Sequence, residues 1–266
     1  SAIIRAFFRV SMPNIYRYLA AFIAAGLSAL ALFLFLVHPT RTFVEIVFGT
    51  WLAILGLIEW WQWRIKPRAP DEIILTFALA ISFTGLMSLV EWTPLRWFLV
   101  ALIFVMMLLL QATTSEAAHL SIHRPVRRVI MMAWVFCAYA LITFLFALHQ
   151  FFPTLPFWAL GLLMGALSGG IALLIWRLYM PLTFRLGFSW LLLVTLITLE
   201  LAWTLRLLPF GYSVSGLLLV WVWYIGQLLL RFHLTPSDMV WKKQRWFLLT
   251  NLVLYLFVLI FIVRWV

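Results

Sequence analysis

Residues 43–90 read FVEIVFGTWLAILGLIEWWQWRIKPRAPDEIILTFALAISFTGLMSLV, and this stretch decides the fold. An apolar run over about 43–63 meets a short basic joint and a second apolar run over about 72–90. About 20 apolar residues suffice for a helix to cross the hydrocarbon core of a bilayer. The joint, Arg64-Ile65-Lys66-Pro67-Arg68-Ala69-Pro70-Asp71-Glu72, also starts a helix. Pro70 suits the first helical position, and Asp71 and Glu72 complement the positive end of the helix dipole.

The same unit recurs along the chain. Further apolar segments lie at about 18–37, 95–114, 129–149, 156–176, 186–205, 211–231 and 246–264, making nine in all. Overall 66% of residues are hydrophobic and 10% charged, against roughly 25% charged in soluble domains. Membrane β-strands run about ten residues with strict alternation, and these segments are twice as long and apolar all round. A backbone in lipid must satisfy its own hydrogen bonds, which selects helices. The expected fold is therefore all-α: a polytopic integral membrane protein with a bundle of about nine transmembrane helices and short interfacial helices.

Charge sets the orientation. Arg5, Arg9 and Arg17 precede the first span, and Arg64, Lys66 and Arg68 follow the second. Arg124, Arg127 and Arg128 follow the fourth, Arg177 and Arg185 flank the joint after the sixth, and Arg231, Lys242, Lys243 and Arg245 lie between the eighth and ninth. These fifteen share one side, and Arg41, Arg96, Arg206 and Arg264 share the other. The bias places the N-terminus in the cytoplasm. The expected location is a bacterial inner membrane. The net charge of +11 is accounted for by a basic face beside anionic lipid, and nucleic acid is not an expected partner. Arg5, Arg9, Arg127, Arg128, Lys242 and Lys243 are the residues expected at lipid headgroups.

Two regions make up the expected organisation: an interfacial segment over 1–17 and one transmembrane domain over 18–266. Ile3, Ile4, Phe7 and Phe8 can enter the membrane while Arg5 and Arg9 face phosphate. Met12-Pro13-Asn14 is expected to break this helix before the first span. A second interfacial helix is expected over 236–244, with Thr235 as its N-cap. The first span is read as retained, with no cleavable signal peptide. Of the sixteen Trp residues, eleven fall near expected helix ends, as an interfacial belt requires. The one cysteine, Cys137, lies within the fifth span and reads as packing.

Ionisable groups deep in a membrane are the natural functional candidates, because each costs several kcal/mol. Nearly all such residues here fall at span ends. Glu200 is the exception, roughly 7–8 Å from the middle of the seventh segment at 1.5 Å per residue. It reads as a proton acceptor, a ligand anchor or a structural carboxylate. A second candidate is Glu116-x-x-His119-x-x-x-His123 at the end of the fourth segment, whose side chains share one helix face. Glu-x-x-His occurs in carboxylate-bridged metal sites, and Glu59 is the other acidic residue near that depth. Metal or cofactor ligation, contact with a partner subunit and a solvated helix end are the three readings. The sequence specifies no cofactor. A third feature is the stripe Gly161, Gly165, Gly169 and Gly170, which reads as close helix packing or as a broken helix exposing carbonyls.

Asp71 and Asp238 are the only aspartates, both in joints, so an Asp-cluster magnesium site of the prenyl- or phosphotransferase kind is not expected. Phosphate-loop, zincin and serine-nucleophile motifs are likewise not found. The leading expectation is a non-catalytic transmembrane subunit of a larger membrane complex, with lipids and other membrane subunits as partners. The alternative is a small-molecule or lipid transporter with a pocket near Glu200. A third is a lipid-modifying enzyme at the cytoplasmic boundary using Glu59, Glu116, His119 and His123.

Overall fold

The computed structural model describes residues 2–65, 70–113, 124–179, 184–234 and 241–262, all helix or short turn, with no strand among them. Among the described residues nine helices follow one another: α1 Ala2–Val37, α2 Arg41–Ile65, α3 Pro70–Leu89, α4 Thr93–Thr113, α5 Arg124–Phe151, α6 Phe157–Arg177, α7 Phe184–Arg206, α8 Tyr212–Leu234 and α9 Trp241–Phe257. A π-helical turn over Val258–Ile262 follows α9.

Among the described residues eight helices, α1 through α8, are long and apolar enough to cross a membrane. That fits an integral membrane protein. The ninth expected span is the exception: its apolar helical stretch, Arg245–Ile260, falls short of that length among the described residues. The N-terminal segment also departs from expectation. The backbone stays helical from Ala2 through Pro13 to Val37, so no break separates an interfacial helix from the first span. Proline removes one backbone donor, a loss that membrane helices tolerate where local adjustment re-satisfies the freed carbonyl. Residues 235–240, most of the second expected interfacial helix, lie outside the described residues.

The chain divides into two compact units, Ser1–Ala133 and Trp134–Val266. In the first, α1 makes its broadest contact with α4 and a lesser one with α2. Its buried positions include Ala20, Ala21, Ala24, Ala25, Ser28 and Ala31. Small residues at this spacing let helix backbones approach, which matters where lipid and core are equally apolar and packing drives association. Phe22 meets Phe104 edge-on at 5.7 Å between ring centres. Trp51, fully buried on α2, donates its Nε1–H to Ser28 Oγ at 3.2 Å, and Ser28 donates in turn to the Ala24 carbonyl at 2.7 Å.

In the second unit the broadest contact joins α6 and α7. A β-carbon on Gly165 would lie 3.0 Å from the Thr195 carbonyl oxygen, and one on Gly169 would meet the Thr195 hydroxyl. Gly161 approaches Leu199, whereas Gly170 has open space around it. Helix α6 remains regular through both Gly169 and Gly170. Ser168 donates to Thr198 Oγ1 at 2.9 Å across the same contact. On α8, a β-carbon at Gly216 would lie 3.0 Å from the Thr143 Cα of α5. Trp221 Nε1 donates to Asn251 Oδ1 at 3.1 Å, tying α8 to α9.

Candidate functional site

Helix α7 carries Glu200 within its Gly187–Arg206 span. Val194, Thr198, Ala202 and Leu205 are buried, and at 100° per residue they share one face. Leu192, Leu196, Glu200 and Trp203 are exposed and share the opposite face. Glu200 therefore turns away from α6, not toward the packed interior. Its main-chain carbonyl accepts the Thr204 hydroxyl at 2.9 Å. Its carboxylate has no hydrogen bond or ion pair among the described residues. Gly169 packs on Thr195, on another side of α7 from Glu200.

A polar cluster that no motif announces lies in the first unit. Glu59 of α2 is 2% exposed, and its Oε1 accepts the Thr76 hydroxyl of α3 at 3.1 Å. The side-chain amide of Gln111 on α4 donates to the same oxygen. Thr76 also reaches the Glu72 carbonyl at 3.2 Å. The joint of four residues between α2 and α3 makes the two helices antiparallel. Counted toward that joint, Gln62 lies three residues past Glu59, and Glu72 lies four before Thr76. The two thus sit at about one level, and both are 8% exposed. Neither side-chain atom of Gln62 has a hydrogen-bond partner.

This arrangement satisfies a buried carboxylate with neutral donors from two other helices, as buried polar groups require. It ties α2, α3 and α4 together. The sequence places Glu59 near a span end and assigns Glu72 to the helix dipole. Joining them to Thr76 and Gln111 needs the helix register, and the antiparallel hairpin was the available signal.

The other sequence candidates fall in different places. Glu116, His119 and His123 lie outside the described residues. Among the described residues, no three His, Cys, Asp or Glu side chains gather as a metal-holding set. Arg128 is exposed and Arg127 half-buried. Arg5 and Arg9 fall in α1, and Lys242 and Lys243 in α9, at positions whose side chains lie outside the described residues.

At the Arg206 end of α7, the guanidinium lies 4.6 Å from the Phe157 ring centre and 5.7 Å from that of Trp203. The ring of His149 on α5 lies tilted against the same Phe157, 5.0 Å between ring centres. An arginine resting on aromatic rings at a span end is an interfacial anchor: its stem stays among apolar groups while the charge reaches the headgroup level.

Comparison with known proteins found no matching family model, no matching curated protein and no matching solved structure.

Proposed function

We propose that this chain is a non-catalytic transmembrane subunit of a larger membrane assembly. One observation carries the reading: the carboxylate of Glu200 sits within a span, on an exposed face of its helix, without a hydrogen bond or ion pair among the described residues. An ionisable group facing hydrocarbon costs several kcal/mol, so such residues nearly always face protein or water. A neighbouring subunit supplies that environment. The α7 span is also sparsely covered by its own chain, with 22% of it buried against 61% for α5. The described interior supports the same reading. Several of its polar side chains pair with each other, Ser28 with Trp51, Ser168 with Thr198 and Glu59 with Gln111.

In this reading the basic joints face the cytoplasm of a bacterial inner membrane, following the distribution of Lys and Arg. Lipids contact the exposed apolar helices, and other membrane subunits cover part of them. Affinity purification of the tagged full chain in a mild detergent tests the proposal. Another membrane protein should co-purify in fixed stoichiometry through a second sizing step. A chain that always purifies alone, yet stays folded, would refute it.

A further inference from the structure

We infer that the outward stripe of α7, formed by Leu192, Leu196, Glu200 and Trp203, docks a transmembrane helix of a different protein that presents a Lys or Arg at the depth of Glu200. The inference rests on the subunit reading and names the chemistry of the partner.

The stripe has the form of a helix-packing seam. Its residues are spaced by four, four and three, and fall within an arc of about 80° at 100° per residue. Leu192 and Leu196 are each 53% exposed and Trp203 is 49% exposed, so the described helices packed on α7 in its own unit leave this face uncovered. Large apolar residues at such spacing form the knobs of a left-handed helix pair. One polar residue within a seam fixes register and partner at a cost in stability. Glu200 occupies that position.

Three occupants compete for the face, and charge and depth choose among them. Lipid headgroups are too far. Glu200 lies six residues before Arg206, about 9 Å along the axis, and Arg206 rests on Phe157 and Trp203 at the span end. Side chains leave a helix tilted toward its N-terminus, so Glu200 leans away from that nearer end. Bare acyl chains would leave the carboxylate without any donor. A second copy, paired two-fold about this stripe, would bring two Glu200 carboxylates to one level, where like charges oppose each other. A basic side chain from a different helix supplies the opposite charge and the donors together.

The test is site-specific photo-crosslinking of the full chain in its own membrane. A photoreactive residue replaces Leu196 on the stripe, and in a control it replaces Phe98, which is exposed on α4. We expect the Leu196 position to capture one other membrane protein, through a peptide with Lys or Arg inside an apolar segment. Glu200→Gln should lower that yield by about tenfold or more, since one partner of a desolvated charge pair is lost. Glu200→Leu should lower it similarly while preserving insertion, which guards against a misfolded variant. Capture of another copy of this chain would overturn the inference. So would lipid adducts alone at Leu196 while a stoichiometric partner still co-purifies, and in that case the subunit reading survives. Lipid adducts alone with no co-purifying protein would remove both. An unchanged yield in Glu200→Gln and Glu200→Leu would overturn the charge pairing.

Discussion

Gln111 of α4 donates its side-chain amide to Glu59 of α2, across 52 positions of sequence. The same carboxylate oxygen accepts the Thr76 hydroxyl. One buried glutamate thus holds three helices in register. Replacing Glu59 with Leu removes the acceptor that Thr76 and Gln111 share, although Thr76 keeps the Glu72 carbonyl, and removing one partner of a buried polar group costs about 1–3 kcal/mol. Glu59→Leu should lower the unfolding midpoint in detergent clearly, whereas Glu59→Gln, which keeps an acceptor oxygen, should lower it less. Equal midpoints for wild type and Glu59→Leu would show that the clamp contributes nothing.

The glycines of the second unit separate into two kinds. Gly216 has the Thr143 Cα 3.0 Å from its missing β-carbon, while Gly170 has nothing within 4 Å. Gly216→Ala should destabilise by about 1–3 kcal/mol through overpacking against backbone. Gly170→Ala should be neutral or should stabilise by up to about 1 kcal/mol, because alanine loses less backbone freedom in a helix. Thermal denaturation of the two variants side by side checks the ordering.

Ser168 and Thr198 form a smaller test. Their hydroxyls meet at 2.9 Å, and Thr198 donates to the Val194 carbonyl at 2.8 Å. Hydrogen bonds between membrane helices average about 0.6 kcal/mol in double-mutant cycles. A cycle with Ser168→Ala and Thr198→Val should give a coupling of that order. A coupling of several kcal/mol would mean that these hydroxyls belong to a larger network.

Sidedness can be read chemically. Cys137 is buried, so a Cys137→Ser background removes the only native thiol. Arg128→Cys, on an exposed position near the start of α5, should react with a membrane-impermeant thiol reagent from the cytoplasmic side. Glu45→Cys, on the exposed Arg41–Glu45 pair at the opening of α2, should react from the other side. Labelling of both from one side would overturn the topology.

Much of the fold was legible in the sequence. Helix α6 was expected over about 156–176 and runs Phe157–Arg177; the eighth segment was expected over about 211–231 and forms α8, Tyr212–Leu234. Long apolar runs bounded by polar joints carry that information directly. The faces of the helices were not legible. Lipid and packed interior are equally apolar, so the periodicity that marks a buried face in water is weak here. Depth along the helix singled out Glu200, but its outward direction came only from the burial of Val194, Thr198 and Ala202 opposite it. The Glu59 clamp escaped for a related reason: Thr76 and Gln111 are ordinary residues until three helices align them. At the ends of the chain, Pro13 marked a break that the α1 backbone does not make, and the ninth segment yielded a regular helix only to Phe257.

The most direct test of the subunit reading is native mass spectrometry on the full chain, gently extracted from its own membrane. The chain alone weighs 31.0 kDa. The account predicts a discrete species heavier than this by the mass of at least one different protein, dissociating to release the intact chain. A bare monomer, or a species built only from copies of this chain, would contradict it.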